Sequence, residues 1–114
     1  MSLELCKEII GTYRRHGWEL KRVLATAALR NDLKAEAADF LSGPDLIDAE
    51  FDALWFTRPS TAGREAWELR HLAENAYALF AAFEPDEAEE DREEARLEME
   101  HQMRDQVALP KKVY

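Results

Sequence analysis

Apolar side chains recur every three or four positions in three stretches of the chain, and this spacing is typical of amphipathic helices. The first stretch covers residues 2–16 and is followed by Gly17, a residue type that ends many helices. The second covers residues 32–42 and stops at a Ser-Gly-Pro sequence. The third covers residues 76–83 and follows Asn75, which can cap a helix. We therefore expect helices in these three stretches.

Three segments that each contain a tryptophan carry instead the period-two alternation that is typical of strands. Residues 52–58 alternate in this way and end at Pro59, and residues 65–72 form the return arm of a hairpin. Residues 18–25 begin with Trp-Glu-Leu, as the return arm does from Trp67, and six successive positions match in residue type. The two matching segments are therefore expected to share one local structure, a strand.

Acidic side chains dominate the region from residue 84 onward, which predicts one more helix. Pro85 interrupts the chain, Asp86 and Glu89 have the spacing of a capping box, and the helix should run to about residue 107. Residues 44–50 are also acidic, and we expect a linker or a short helical turn there. The net charge of −9 at pH 7 belongs mainly to the last part of the chain.

These elements combine into an α+β fold. We expect a small three-stranded antiparallel sheet with packed helices and a long acidic C-terminal helix. Residues 1–85 would form a single globular domain, residues 86–109 a helix packed on that domain or on a partner chain, and residues 110–114 a tail. Because the segments that begin at Trp18 and Trp67 also fit helical spacing, an all-α bundle is the alternative.

Composition excludes several classes of protein. The chain has 114 residues, the size of about one domain, and its single cysteine, Cys6, rules out a disulfide within the chain. No stretch approaches the roughly 20 apolar residues of a membrane helix, and no basic segment followed by an apolar run marks a leader. We therefore expect a cytoplasmic protein that does not cross a membrane. Its negative charge argues against nucleic acid as a partner.

The connection between the two hairpin arms concentrates groups that can bind an anion. Arg58 and Arg64 bracket this connection, and Ser60 and Thr61 add two hydroxyl groups. Guanidinium groups match the oxygen geometry of carboxylates and phosphates. Further along the return arm, His71 could act as a general base if a carboxylate or hydroxyl group lay within hydrogen-bond distance. These five residues form a candidate ligand site, and the alternative is an ordinary turn whose arginines pair with nearby acids.

The predicted acidic helix offers a candidate interaction surface. Met99 and Met103 lie on a narrow apolar stripe, and Arg92 and Arg96 have glutamates three or four residues away. Because an isolated helix needs packing to persist in water, this stripe is expected to lie on its own domain or on another chain.

The sequence contains no complete catalytic, nucleotide-binding or metal-binding motif, and it implies no cofactor. We therefore expect a non-enzymatic protein that binds a protein partner or a second copy of itself. The alternative is a small-anion-binding domain or enzyme centred on the turn at Arg58 and Arg64 and on His71.

Overall fold

The structure is a computed structural model that describes residues 3–35 and 43–108. Helices and strands alternate irregularly along these residues, and a single 3-10 turn at Thr61–Gly63 joins two of the strands. The elements in chain order are α1 (Leu3–Arg15), β1 (Glu19–Ala25), α2 (Ala27–Ala35), β2 (Asp45–Asp48), β3 (Ala53–Pro59), β4 (Glu65–His71), β5 (Ala78–Phe83) and α3 (Glu89–Ala108).

The five strands form one mixed sheet in the order β2-β1-β3-β4-β5. β1 and β2 are parallel, and the other neighbouring pairs are antiparallel. The predicted α+β class and the three predicted strands are confirmed. The prediction of a three-stranded, wholly antiparallel sheet is wrong, because β2 and β5 extend the sheet at both edges and β2 is parallel to β1. The alternative of an all-α bundle is also wrong, because the segments that begin at Trp18 and Trp67 are strands.

β2 replaces the linker that was predicted for residues 44–50. Parallel strands need a crossover between them, and α2 provides it, so that β1, α2 and β2 form a β-α-β unit. α2 begins earlier than the helix predicted for residues 32–42 and is described as far as Ala35. The rest of that predicted helix lies outside the described residues.

β5 replaces the helix that was predicted for residues 76–83. Its six residues pair with β4 over their whole length, from Ala78 opposite Arg70 to Phe83 opposite Glu65. The alanines favour a helix when the segment is considered alone, but in the folded chain the strand hydrogen-bonds to β4 and buries Phe83. The helical prediction is therefore wrong, because pairing with β4 outweighs local propensity.

A β-bulge at Lys21 explains the irregular pattern of β1. Leu20 lies opposite Phe56 and Arg22 lies opposite Trp55, so Lys21 is an extra residue with no partner in β3. An extra residue shifts the alternation of a strand by one position. Arg22 consequently faces the same side of the sheet as Trp55, although Leu20, two residues before it, faces the other side.

The two faces of the sheet carry separate cores. α1 and α2 cover one side, called here the helix-pair face, with the buried residues Leu20, Val23, Leu54, Phe56 and Leu72 of the sheet region beneath them. α3 covers the other side, called here the α3 face, with Leu24, Ala53, Trp55, Trp67, Leu69 and Phe83 beneath it. The protein is thus a three-layer arrangement with helices on both sides of one sheet.

Candidate functional site

One part of the helix-pair face is not covered by α1 or α2. It lies on β4 and β5, where Ala78, Phe80 and Ala82 alternate with inward-facing residues of β5. The side chain of Phe80 is 60% exposed and the two alanines are exposed, whereas Glu68 and Arg70 of β4 beside them are half-buried. We call these five residues the open region.

Tyr13 of α1 marks the border between the covered part of this face and the open region. Its ring stacks on Phe56, with ring centroids 4.0 Å apart and an interplanar angle of 10°. Its hydroxyl group donates a hydrogen bond to the carboxylate of Glu68. Burial raises the pKa of the Tyr13 phenol, and the hydrogen bond to the Glu68 carboxylate raises it further. The phenol is therefore held as a neutral donor that fixes Glu68 at this border.

Two shallow grooves flank Tyr13. The larger, of about 250 Å³, is bounded by Leu5, Ile9 and Thr12 of α1 and by Arg70 of β4. The smaller, of about 180 Å³, lies on the other side of Tyr13, next to Trp18 and Glu68. Both grooves adjoin the open region, so this side of the molecule combines an exposed aromatic ring, recesses between α1 and the sheet, and charges of both signs.

Two of the five predicted ligand residues meet in a pocket at the hairpin turn. Arg58 and Arg64 line a pocket of about 390 Å³ together with Lys21, which the sequence analysis did not include. Glu19 and Glu65 also line it, and Glu19 forms an ion pair with Lys21 at 3.0 Å. The pocket therefore carries three cations and two carboxylates.

Both arginines of the turn already have partners within the chain. Arg58 Nη1 donates a hydrogen bond of 2.8 Å to the carbonyl group of His16, and its guanidinium lies over the Trp18 ring, 4.7 Å from the centroid. Arg64 Nε donates to the carboxylate of Glu84 at 2.8 Å. An anionic ligand would have to share these guanidinium groups with their present acceptors.

The other predicted ligand residues lie elsewhere. Ser60 and Thr61 are exposed in the turn, next to the pocket in sequence but not among its lining residues. His71 lies at the opposite end of β4 from Arg64. Burial lowers the pKa of the His71 imidazole, and the positive charge of Arg70 lowers it further. The structure therefore does not bring His71 together with the two arginines.

The predicted interaction surface on the acidic helix is part of the core. Met99 and Met103 are buried against the α3 face, and Arg96 is 2% exposed. Because the apolar stripe of α3 is packed on the sheet of the same chain, these residues do not form an open surface. Of the two placements expected for this stripe, its own domain or another chain, the structure shows the first for Met99 and Met103, and Arg92 is half-buried beside them.

Arg96 is instead a buried cation at the centre of a polar cluster. Its guanidinium lies over the Trp67 ring, 4.3 Å from the centroid, and it donates hydrogen bonds to Glu89 and, at 2.9 Å, to Glu93. Arg22 also contacts Glu93, at 3.0 Å. Burial raises the pKa of the Glu93 carboxyl, but the hydrogen bonds from Arg96 and Arg22 outweigh burial and lower it.

Arg92 lies beside this cluster. It forms an ion pair with Glu65 at 3.5 Å and donates a hydrogen bond to the carbonyl group of Glu84 at 2.8 Å. These contacts tie the first turns of α3 to β4 and to the end of β5. Together with Arg96, Arg92 therefore holds α3 in place on the sheet.

The described residues form neither a metal site nor a membrane-spanning helix, and the one cysteine among them is buried. Among residues 3–35 and 43–108, no group of three His, Cys, Asp or Glu side chains could hold a metal ion. No helix in the same part of the chain is long and apolar enough to cross a membrane. Cys6 is fully buried on the inner side of α1, and burial raises its pKa to about 11, which disfavours the thiolate.

No protein-family model, curated protein or solved structure matches this chain.

Sequence reasoning missed Phe80, Tyr13 and Glu68 as functional candidates. The sequence carries no alternation that would single out Phe80, because every residue from Ala76 to Phe83 is apolar. No sequence signal joins Tyr13 to Glu68, since the contact depends on how α1 crosses the sheet.

Proposed function

We propose that this protein is a small, non-enzymatic, cytoplasmic protein-protein interaction module whose contact surface is the open region. The single observation that carries this proposal is the 60% exposure of Phe80 at the centre of a strand. Aromatic side chains at the centre of a contact surface contribute strongly to binding, because they bury a large area at a small cost in side-chain entropy.

The surroundings of Phe80 support this function. Ala78 and Ala82 on either side leave the ring accessible, and Glu68 and Arg70 provide charges of both signs at its margin. Such an arrangement, with an apolar centre and a polar rim, is usual in protein-protein interfaces. The net charge of −9 supports a protein partner over nucleic acid, and the lone, buried Cys6 supports the cytoplasm.

A matched pair of variants tests this proposal by affinity capture. Phe80→Ser removes the exposed ring of the open region, and Leu46→Ser removes an exposed side chain (42%) from β2, at the opposite edge of the same sheet. We expect proteins that are retained by the wild type to be lost from the Phe80 variant and kept by the Leu46 variant. Equal retention by both variants would remove the open region from the proposal.

We propose a second candidate function, the binding of a small anion at the hairpin turn, on a separate observation. Arg58, Arg64 and Lys21 line one pocket of about 390 Å³. Three cationic side chains around one recess can share a carboxylate or phosphate group. His71 has no part in this candidate because it lies at the far end of β4.

Thermal-shift measurements test the anion site. Inorganic phosphate and a small dicarboxylate should raise the melting temperature of the wild type, and the rise should disappear in the Arg58→Ala, Arg64→Ala double variant. A control double variant, Arg14→Ala, Arg104→Ala, removes the same charge outside the pocket and should keep the rise. The same response in both double variants would show that the anions act on overall charge instead.

A further inference from the structure

The outer edge of β5 presents unused main-chain hydrogen-bonding groups. The amide of His71 donates to the carbonyl group of Tyr77, so residues 77, 79, 81 and 83 exchange their hydrogen bonds with β4. The amides and carbonyls of the alternate residues, Ala78, Phe80 and Ala82, therefore point away from β4. β5 is the last strand of the sheet in the part of the chain that the structure describes.

The two edges of the sheet differ in how they are protected. β2, at one edge, has four residues with Asp45 and Asp48 at its two ends. Charged residues on an edge strand oppose pairing with another chain. β5, at the other edge, has six residues and no charge, and the uncharged stretch runs from Asn75 to Phe83. Of the two sheet edges formed by residues 3–35 and 43–108, the β5 edge alone can pair without bringing charged side chains of the strand together.

We infer that β5 pairs with β5 of a second copy of this chain, in an antiparallel register that places Phe80 opposite Phe80. This inference rests on the proposed protein-binding function and names the partner. The pairing would join two five-stranded sheets into one continuous sheet around a two-fold axis, and the symmetry closes the assembly at two copies.

The hydrogen bonds select this register. With Phe80 opposite Phe80, Ala78 lies opposite Ala82 of the second copy, and all three outward-facing residues of each chain join in about six hydrogen bonds. A shift by two residues in either direction leaves one of the three unpaired and reduces the number to about four. On the helix-pair face the sequence of side chains is Ala, Phe, Ala in both directions, so the two Phe80 rings meet at the axis with alanines on either side.

Self-complementarity supports a second copy as the occupant. In this register every outward-facing residue of β5 meets an uncharged residue of the second copy, and Ala78 and Ala82 exchange places across the two-fold axis. Glu84, just beyond the strand, stays paired with Arg64 at 2.8 Å, so the junction needs no new ion pair.

The junction is short, so the dimer should be weak. Stable interfaces bury about 800 Å² on each partner, and one six-residue strand pair with a central aromatic contact falls below that size. We expect association in the micromolar range. Because each chain carries a net charge of −9, added salt should strengthen the association by screening the overall repulsion.

Charge pairs at the junction test the inference by analytical ultracentrifugation of the full chain. In the Ala78→Glu, Ala82→Glu variant two glutamates face each other twice across the new strand pair, and association should weaken at least about tenfold. In the matched Ala78→Lys, Ala82→Glu variant a lysine faces a glutamate twice, and association should be kept. Circular dichroism of each variant verifies that the monomer is folded.

A mixing experiment separates this register from a general effect of charge. The Ala78→Lys, Ala82→Lys variant should also fail to associate alone, and an equimolar mixture with the double-glutamate variant should form a mixed dimer. A wild-type chain that stays monomeric up to millimolar concentration would overturn the inference, as would equal association of all the variants. If the wild-type chain stays monomeric but Phe80→Ser selectively loses captured proteins, the proposed function is still supported. If Phe80→Ser loses no captured protein, the proposed function is contradicted, whatever the oligomeric state.

Discussion

The two faces of the sheet are closed in different ways. On the α3 face a single helix covers the sheet, and its Met103 and Arg96 side chains pack over Trp55 and Trp67. On the helix-pair face two helices cover β1 and β3, and the surface of β4 and β5 stays accessible at Phe80. The number of helices on a face therefore does not decide how much of it is buried. The position of the helices decides how much of the sheet is buried, and the part that they leave accessible is where binding can occur.

The largest difference between the faces should appear on replacing tryptophan. Trp55 is fully buried on the α3 face, and its Nε1 donates a hydrogen bond of 2.8 Å to Glu100. We expect Trp55→Ala to lower the free energy of unfolding by about 3–5 kcal/mol, since it leaves a cavity. Trp18→Ala, which removes a half-buried ring at the border of the helix-pair face, should lower it by less in the same urea titration. Equal losses of unfolding free energy in the two variants would mean that the two faces are packed equally well.

Arg96 should give the next largest effect. Arg96→Ala removes a guanidinium that is 2% exposed, its stacking on Trp67 and its contacts with two glutamates, and we expect a loss of about 2 kcal/mol. Arg104→Ala is the matched control, because its exposed ion pair with Asp105 should contribute under about 0.5 kcal/mol. Chemical denaturation of both variants measures the difference, and a loss of similar size in the control would show that Arg96 does not anchor α3.

Tyr13→Phe should have a smaller effect at the border of the open region. The variant keeps the stacking on Phe56 and loses the hydrogen bond to Glu68, with an expected loss of about 1 kcal/mol at neutral pH. The pKa of Tyr13 is raised in the folded chain, so its contribution to stability is present below pH 10 and is lost as the pH rises through the folded value. Melting curves should therefore show a steeper alkaline decline in the wild type than in the variant, and parallel declines would contradict this role.

The smallest effect on stability should come from Phe80. Its ring is 60% exposed, so Phe80→Ser should change the free energy of unfolding of the dilute, monomeric chain by no more than about 0.5 kcal/mol. Phe83→Ser, at a buried position of the same strand, should cost several times as much. The same urea titration compares the two, and a large loss in the Phe80 variant would assign this ring to the core.

The hairpin was predictable because its signals are local. The alternation in β3, the stop at Pro59 and the glycine in the turn all lie within one short stretch of chain. β2 and β5 were not predictable by the same reasoning. Asp45 and Asp48 are poor strand formers, and the alanines of β5 favour a helix, so both strands depend on their neighbours in the sheet.

The candidate sites show the same division between local and long-range signals. The meeting of Arg58 and Arg64 in one pocket follows from the short turn between β3 and β4, and it was predictable from the sequence. Lys21 joins them only because β1 lies beside β3. The contact between Tyr13 and Glu68 joins residues 55 positions apart in the chain. Sequence reasoning could identify the chemical groups of a turn but not the groups that the fold brings to it.

The bulge at Lys21 decides where β1 can lose a residue. Removing Lys21 would join Leu20 directly to Arg22 and leave both side chains on their present faces, because their partners Phe56 and Trp55 are already consecutive in β3. Removing Val23 instead would shift Leu24 and Ala25 by one position, and each would then face the opposite core. The same one-residue deletion should therefore be mild at the bulge and disruptive two positions further along the strand.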